Sequence, residues 1–142
     1  MRTWTLMIYK VPNEPTAGRV YVWRKLKKLG AILLHDAVWV LPTNPHIREQ
    51  LRWLATEIVE LDGQASVWES RLTSGEEGPL VDQFIAEVEP AYREILAGLK
   101  AKDADLSALS RRYQQIKAQD YFDSEIGRRV REALLAAKGG PK

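Results

Sequence analysis

Residues 19–42, RVYVWRKLKKLGAILLHDAVWVLP, decide the reading of this chain. Five cations and no acid fall between Arg19 and Lys28, and Gly30 then separates this stretch from two apolar runs. The spacing predicts a helix over residues 17–29, with Thr16 as its N-cap and Gly30 closing it in the left-handed conformation. AILLHD and AVWVLP read as two antiparallel strands joined at a tight His35-Asp36 turn and ending at Pro42.

Working outward, WTLMIYKVP (residues 4–12) is an aromatic and aliphatic run stopped by Pro12, a strand apolar on both faces. Downstream, Asn44 is an N-cap and Pro45 a first helical residue, and Ile47, Leu51, Leu54, Ile58 and Leu61 recur at helical spacing up to Gly63. QASVWESRL (64–72) reads as a fourth strand. The order strand, helix, strand, strand, helix, strand predicts an α+β fold with a ferredoxin-like βαββαβ sheet and both helices on one face. Beyond a TSGEEGP loop, Leu80, Phe84, Ile85, Val88, Tyr92, Ile95 and Leu99 mark an amphipathic helix kinked at Pro90. Two further helices follow, at about 106–118 and 124–137, and the GGPK tail reads as disordered. The expected organisation is a ferredoxin-like subdomain over 1–75 and a helical segment over 76–142 packed on its bare sheet face as one compact unit.

Composition narrows the function classes. The chain has 142 residues, 45% hydrophobic and 28% charged, the balance of one globular domain. With no cysteine and only His35 and His46 as imidazoles, thiol chemistry is excluded and no zinc site is expected. No apolar run reaches the roughly 20 residues that span a bilayer, and no signal sequence opens the chain, so a cytoplasmic protein with no membrane partner is expected. The net charge of +2 is small, but its distribution is polarised: Glu57 to Glu94 holds ten carboxylates against Arg71 and Arg93.

A wheel at about 100° per residue sets Val22, Trp23, Leu26 and Leu29 on one side of the first helix, Arg24, Lys25 and Lys28 opposite, and Lys27 at the boundary. Arg19 sits in the first turn, where uncapped N–H groups and the positive end of the helix dipole point, and Gly18 lets a ligand approach the backbone. Gly18 and Arg19 are therefore a candidate oxyanion site. The bland alternative is a solvated cationic face, with Arg19 paired to a carboxylate. A second cationic surface, Arg111, Arg112 and Lys117 followed by Arg128, Arg129 and Arg131, has the order of a helix-turn-helix capped at Ser124, but its DYFD connection is acidic and aromatic, poor for entering a groove. The five tryptophans, Trp4, Trp23, Trp39, Trp53 and Trp68, are expected in the core. The neighbouring His35 and Asp36 fall in a turn, where local backbone bonding suits Asp better than acid–base work. No Gly-rich phosphate loop or nucleophile elbow is present, so no catalytic residue, metal or cofactor is expected and the chain does not read as an enzyme.

Three segments carry a resemblance: W-x-L-x-I-Y-K-V-P at 4–12, R-V-Y-V-W-R-K-L-K-K-L-G-A at 19–31 and D-A-V-W-V-L-P at 36–42. With R-R-Y-x-x-I-x-A-x-D-Y-F at 111–122, they resemble the amino-terminal part of the ChrB family of chromate-resistance regulators over nearly the whole chain. The resemblance implies a repressor of a chromate-efflux operon that leaves promoter DNA when chromate is present. It also implies that Arg19, Arg24, Lys25, Lys27 and Lys28 contribute to DNA binding. Longer members of the family carry a second domain implicated in sensing, which suggests a separate sensing partner for this chain. The first half is also similar to a ferredoxin-like module of phenylacetate-pathway repressors and of a CRISPR adaptation nuclease. The nuclease uses an aspartate after its first strand; Tyr9-Lys10 stands there here, which argues against metal-dependent cleavage. The expected assembly is a homodimer, because two-fold symmetry would set two basic helices against a pseudo-palindromic operator. An oxyanion-binding sensor or accessory protein that takes chromate or sulfate at Gly18 and Arg19 is the alternative.

Overall fold

The structure, a computed structural model, describes residues 2–139; the tail expected to be disordered lies, past Gly139, outside the described residues. The chain divides into two compact units, Met1–Glu76 and Glu77–Lys142. The described residues form an α+β protein with a four-stranded antiparallel sheet and five helices.

The first unit runs β1 (Trp4–Lys10), α1 (Thr16–Leu29), β2 (Ile32–His35), β3 (Val38–Pro42), α2 (Pro45–Glu60) and β4 (Gln64–Ser70), with the strands side by side in the order β2-β3-β1-β4. Thr16 is the first residue of α1 rather than its cap: Pro15 precedes it in extended conformation and offers no side-chain hydrogen bond. Gly30 closes α1 at φ 82°, a conformation glycine adopts without steric cost. The hairpin turns at Asp36-Ala37, one residue later than expected, because His35 still pairs with Val38 and Asp36 takes the left-handed φ of 44° that aspartate tolerates. A register shift between Leu33 and His35 makes β2 irregular. β4 stops at Ser70, opposite Trp4, because β1 offers no partner beyond that residue. Asn44 caps α2, its side chain accepting from the Ile47 N–H at 2.7 Å.

Helix α2 packs on β4 and β1, with α1 beside it. Val22 and Leu26 from α1, and Ile47, Leu51, Leu54 and Ile58 from α2, are buried together with Met7, Trp39 and Leu41 of the sheet. Thr5 is also fully buried, its hydroxyl 2.8 Å from that of Thr43. Two tryptophans, Trp4 and Trp39, enter the core as expected; three do not, Trp23, Trp53 and Trp68 being 51%, 63% and 55% exposed. Trp53 stands more than a quarter turn from the buried stripe of α2, and Trp23 about 60° from the nearest buried residue of α1, Leu26. Trp68 is in register with Leu6, on the sheet face opposite the one that carries Glu69.

The second unit is a three-helix arrangement: α3 (Gly78–Leu99), α4 (Leu106–Lys117) and α5 (Glu125–Ala137). Its core gathers Val88, Tyr92, Ile95, Tyr113, Ile116, Val130 and Leu134. Helix α3 continues across Pro90, which is exposed, as is Ala86 one turn earlier. Asp105 and Ser124 cap α4 and α5, accepting from the Ala108 and Gly127 N–H groups at 3.0 and 3.1 Å. In the connection before α5, Asp120 accepts from the Tyr92 hydroxyl at 2.9 Å and from the Ser124 hydroxyl at 2.7 Å, while Tyr121 and Phe122 pack on Phe84 with ring centroids 6.2 and 5.7 Å away. DYFD is thus a structural splice. Burial, then the bond to Asp120, raises the Tyr92 hydroxyl pKa above its ordinary value, and burial alone pushes Tyr121 up to about 12.

Candidate nucleic-acid interface

Helix α1 presents the densest run of cations because its sequence alternates a narrow apolar stripe with basic residues and contains no acid. With Val22 and Leu26 turned inward, Arg24, Lys25, Lys27 and Lys28 are all exposed. An open groove of about 510 Å³ runs along this surface, lined by Ala17, Val20, Tyr21, Arg24, Lys25 and Lys28. Aromatic rings are interleaved with the charges. The Lys25 Nζ lies 5.6 Å from the Tyr21 ring centre and the Lys27 Nζ 6.0 Å from that of Trp23, both within cation–π range.

Tyr21 orients the helix. Its hydroxyl donates to the Glu57 carboxylate of α2, which holds the hydroxyl pKa above its ordinary value, with burial and the charges of Glu57 and Glu60 adding to the effect. Gly18 is half-buried against Leu61, whose methyl groups would lie 3.7 and 3.8 Å from an added Cβ. The start of α1 therefore lies against the end of α2, and these two interactions fix which flank of α1 faces solvent.

Arg19 is exposed in the first turn of α1, and among the described residues no carboxylate pairs with it. The turn has no acidic residue, and Pro15 before it supplies no side-chain cap. Arg19 and Gly18 thus stand apart from the groove that holds Arg24, Lys25 and Lys28, with Lys27 on the Trp23 flank.

The other sequence candidates are dispersed. Side chains of His35 and Asp36 stand 84% and 91% exposed, 3.8 Å apart. In the second unit, Arg128 pairs with Asp123 at 3.4 Å, Arg111 donates to the Ser107 hydroxyl at 3.0 Å, and Lys117 lies 5.9 Å from the Tyr113 ring centre. Among the described residues no group of three or more His, Asp or Glu side chains could hold a metal ion, and no helix is long and apolar enough to cross a membrane. Sequence reasoning missed the aromatic component of the α1 surface; the signal was present in the wheel position of Trp23, about 60° from Leu26 and farther still from Val22.

These features define a small α+β protein carrying a cationic helix studded with exposed rings. The family model for the amino-terminal domain of protein ChrB matches residues 19–107, and the chain belongs to this family. It is similar to protein ChrB of Cupriavidus metallidurans, 26% identical over 140 residues that cover 89% of this chain and 43% of that protein. The chain thus spans less than half the length of this relative. No solved structure matches it.

Proposed function

We propose that this protein is a DNA-binding regulator of chromate resistance, acting as a repressor whose α1 surface neutralises backbone phosphates. The observation that carries the reading is the exposed run Arg24, Lys25, Lys27 and Lys28, with no acidic residue in the helix, beside an open groove. Phosphate binding of this kind sets affinity and register without reading sequence, and the exposed Tyr21 and Trp23 rings supply apolar surface for sugar and base edges. Family membership supports the link to chromate. In this reading the first unit is a ferredoxin-like module, supported by the split strand order β4-β1-β3-β2 with a helix on each crossover. The protein works in the cytoplasm and performs no chemistry of its own.

Titration of labelled upstream DNA at several salt concentrations tests the reading. Each phosphate that a side chain neutralises contributes about 0.9 to the slope of log K against log salt, so replacing Arg24 and Lys25 together by Ala flattens that slope by about two. An unchanged slope takes α1 out of the interface.

A second reading is favoured by Arg19 alone: an exposed guanidinium without a carboxylate partner among the described residues, beside an uncapped helix start, binds chromate or sulfate directly. Calorimetric titration of chromate into the wild type and Arg19→Ala distinguishes it. Heat in the former and none in the latter supports an oxyanion site, and silence in both rejects it.

A further inference from the structure

Resting on the DNA-binding reading above, we infer that α1 enters the major groove of duplex DNA, with Ala17 and Val20 against the base edges and Arg24, Lys25, Lys27 and Lys28 between the phosphates of the two strands. The stripe that seats α1 is narrow. Val22 and Leu26 are buried and Gly18 and Leu29 half-buried, an arc of about 80°, and every other residue of the helix is exposed. A helix with its side chains is about 10–12 Å across, and the major groove about 12 Å wide, so a helix this bare fits the groove. Its 14 residues extend about 21 Å, enough to cross from one phosphate wall to the other. Helix α2 fails the same comparison. Its buried and half-buried residues, from Glu57 round to Arg48, take up about half its circumference, and Glu49 and Glu60 face outward, where phosphates would be repelled.

Along α1 the exposed chemistry changes from one end to the other. Between Thr16 and Tyr21 the sole charge is Arg19, whereas from Arg24 to Lys28 only Leu26 is uncharged. The open groove beside the helix has the same polarity: Ala17 and Val20 line one end of it, Arg24, Lys25 and Lys28 the other. Val20, 39% exposed, lies within about 20° of the point opposite the seat, and Ala17 and Arg24 lie within about 50°. Lys25 and Lys28 fall to one side of this crest and Lys27 to the other, which suits one phosphate wall each. The Tyr21 hydroxyl is held by Glu57, which keeps that ring off the crest.

Small apolar side chains at the crest have no use for a phosphate. In the major groove they meet the C5 methyl of thymine, the apolar group that base pairs display there, and helices that enter this groove make their base contacts from the N-terminal end. Val20 is therefore a specificity-determining residue, and the cations of the C-terminal half set affinity.

Fluorescence anisotropy with labelled upstream duplex tests the assignment on the intact chain. Replacing thymine by uracil throughout the duplex deletes the C5 methyls, which lie in the major groove, and leaves the phosphate charge unchanged. For the wild type this should lower affinity roughly four-fold for each methyl that Val20 covers. Val20→Ala, a surface change to a better helix former, should lose most of that preference while its salt slope stays at the wild-type value. Lys25→Ala combined with Lys28→Ala should do the converse, flattening the slope and keeping the preference for thymine. Salt-dependent binding by a wild type that does not distinguish thymine from uracil, or a Val20→Ala protein that distinguishes them as well as the wild type, overturns the major-groove assignment and leaves phosphate binding by α1 standing. Single strands of the same sequence bound as tightly as the duplex overturn it too. A salt slope that the lysine pair does not change rejects α1 as the DNA surface, and both readings with it.

Discussion

Replacing Gly127 by Ala opposes two effects whose sizes the structure separates. In an ordinary helix interior the change gains about 1 kcal/mol of helix propensity. Here the added Cβ would lie 2.6 Å from the Asp120 Oδ2, 2.9 Å from the Tyr92 hydroxyl and 3.0 Å from the Ser124 Oγ, three atoms already tied to one another by hydrogen bonds. Tyr92 and Ser124 are 1% and 2% exposed, so neither can swing into solvent. Overpacking at such a site costs about 1–3 kcal/mol, and displacing the Tyr92–Asp120 bond and the Ser124 cap costs about 1 kcal/mol each. The clash wins, leaving a net loss of about 2–4 kcal/mol, which for a unit of this size lowers Tm by roughly 10–30 °C. All five tryptophans lie in the first unit, so their fluorescence reports that unit while helical circular dichroism weights the second. The substitution should move the dichroism transition and leave the fluorescence transition in place. Because the Tyr92 hydroxyl is one of the obstructing atoms, the penalty in a Tyr92→Phe background should fall by about 1 kcal/mol in a double-mutant cycle. A Gly127→Ala protein that melts at or above the wild-type temperature refutes this account.

Asn44→Ala removes the α2 cap and should cost about 1 kcal/mol, read as a lower urea midpoint by tryptophan fluorescence. Gly63→Ala should cost more, about 3 kcal/mol, because the new Cβ would lie 2.4 Å from the Lys10 carbonyl oxygen, a backbone atom held by β1, and 2.8 Å from Ile58; the fluorescence transition should shift accordingly. Alkaline stability follows from the tyrosines of the second unit. Their raised pKa values mean the folded state keeps protons that the unfolded chain releases above about pH 10, so stability is level below that pH and declines between about 10 and 12. Tyr121→Phe should flatten part of that decline in urea midpoints followed by dichroism, and a wild-type midpoint constant to pH 12 contradicts the burial of both hydroxyls.

Much of the architecture is legible because local signals agree with each other. Asn44, Pro45 and the Ile47-to-Ile58 spacing mark α2 without ambiguity, and Gly30 and Ser124 stand where their backbone chemistry requires. The departures are of one residue or a few, and each has a tertiary cause: His35 extends β2 because Val38 is there to pair with it, and β4 ends early because β1 does. The tryptophans are harder, since an indole suits either a core or an exposed binding surface, and only the packing direction of α1, α2 and β4 separates Trp4 and Trp39 from Trp23, Trp53 and Trp68. The candidate site was legible as charge but not as shape. No spacing rule announces that Tyr21 bonds Glu57 across two helices, and that bond helps decide which cations face outward.

Pro90 carries a consequence for how the second unit breathes. It has no amide hydrogen to donate to the carbonyl of Ala86 one turn earlier in α3, and both residues are exposed, which puts this break in the ladder on the solvent side of the helix. Helix α3 therefore has a wet joint, with Phe84 clasped by Tyr121 and Phe122 on one side of it and Tyr92 and Ile95 held in the buried cluster on the other. To amide exchange, the helix should read as two blocks with separate opening energies. The aromatic clasp can then open without unravelling the half that anchors Asp120.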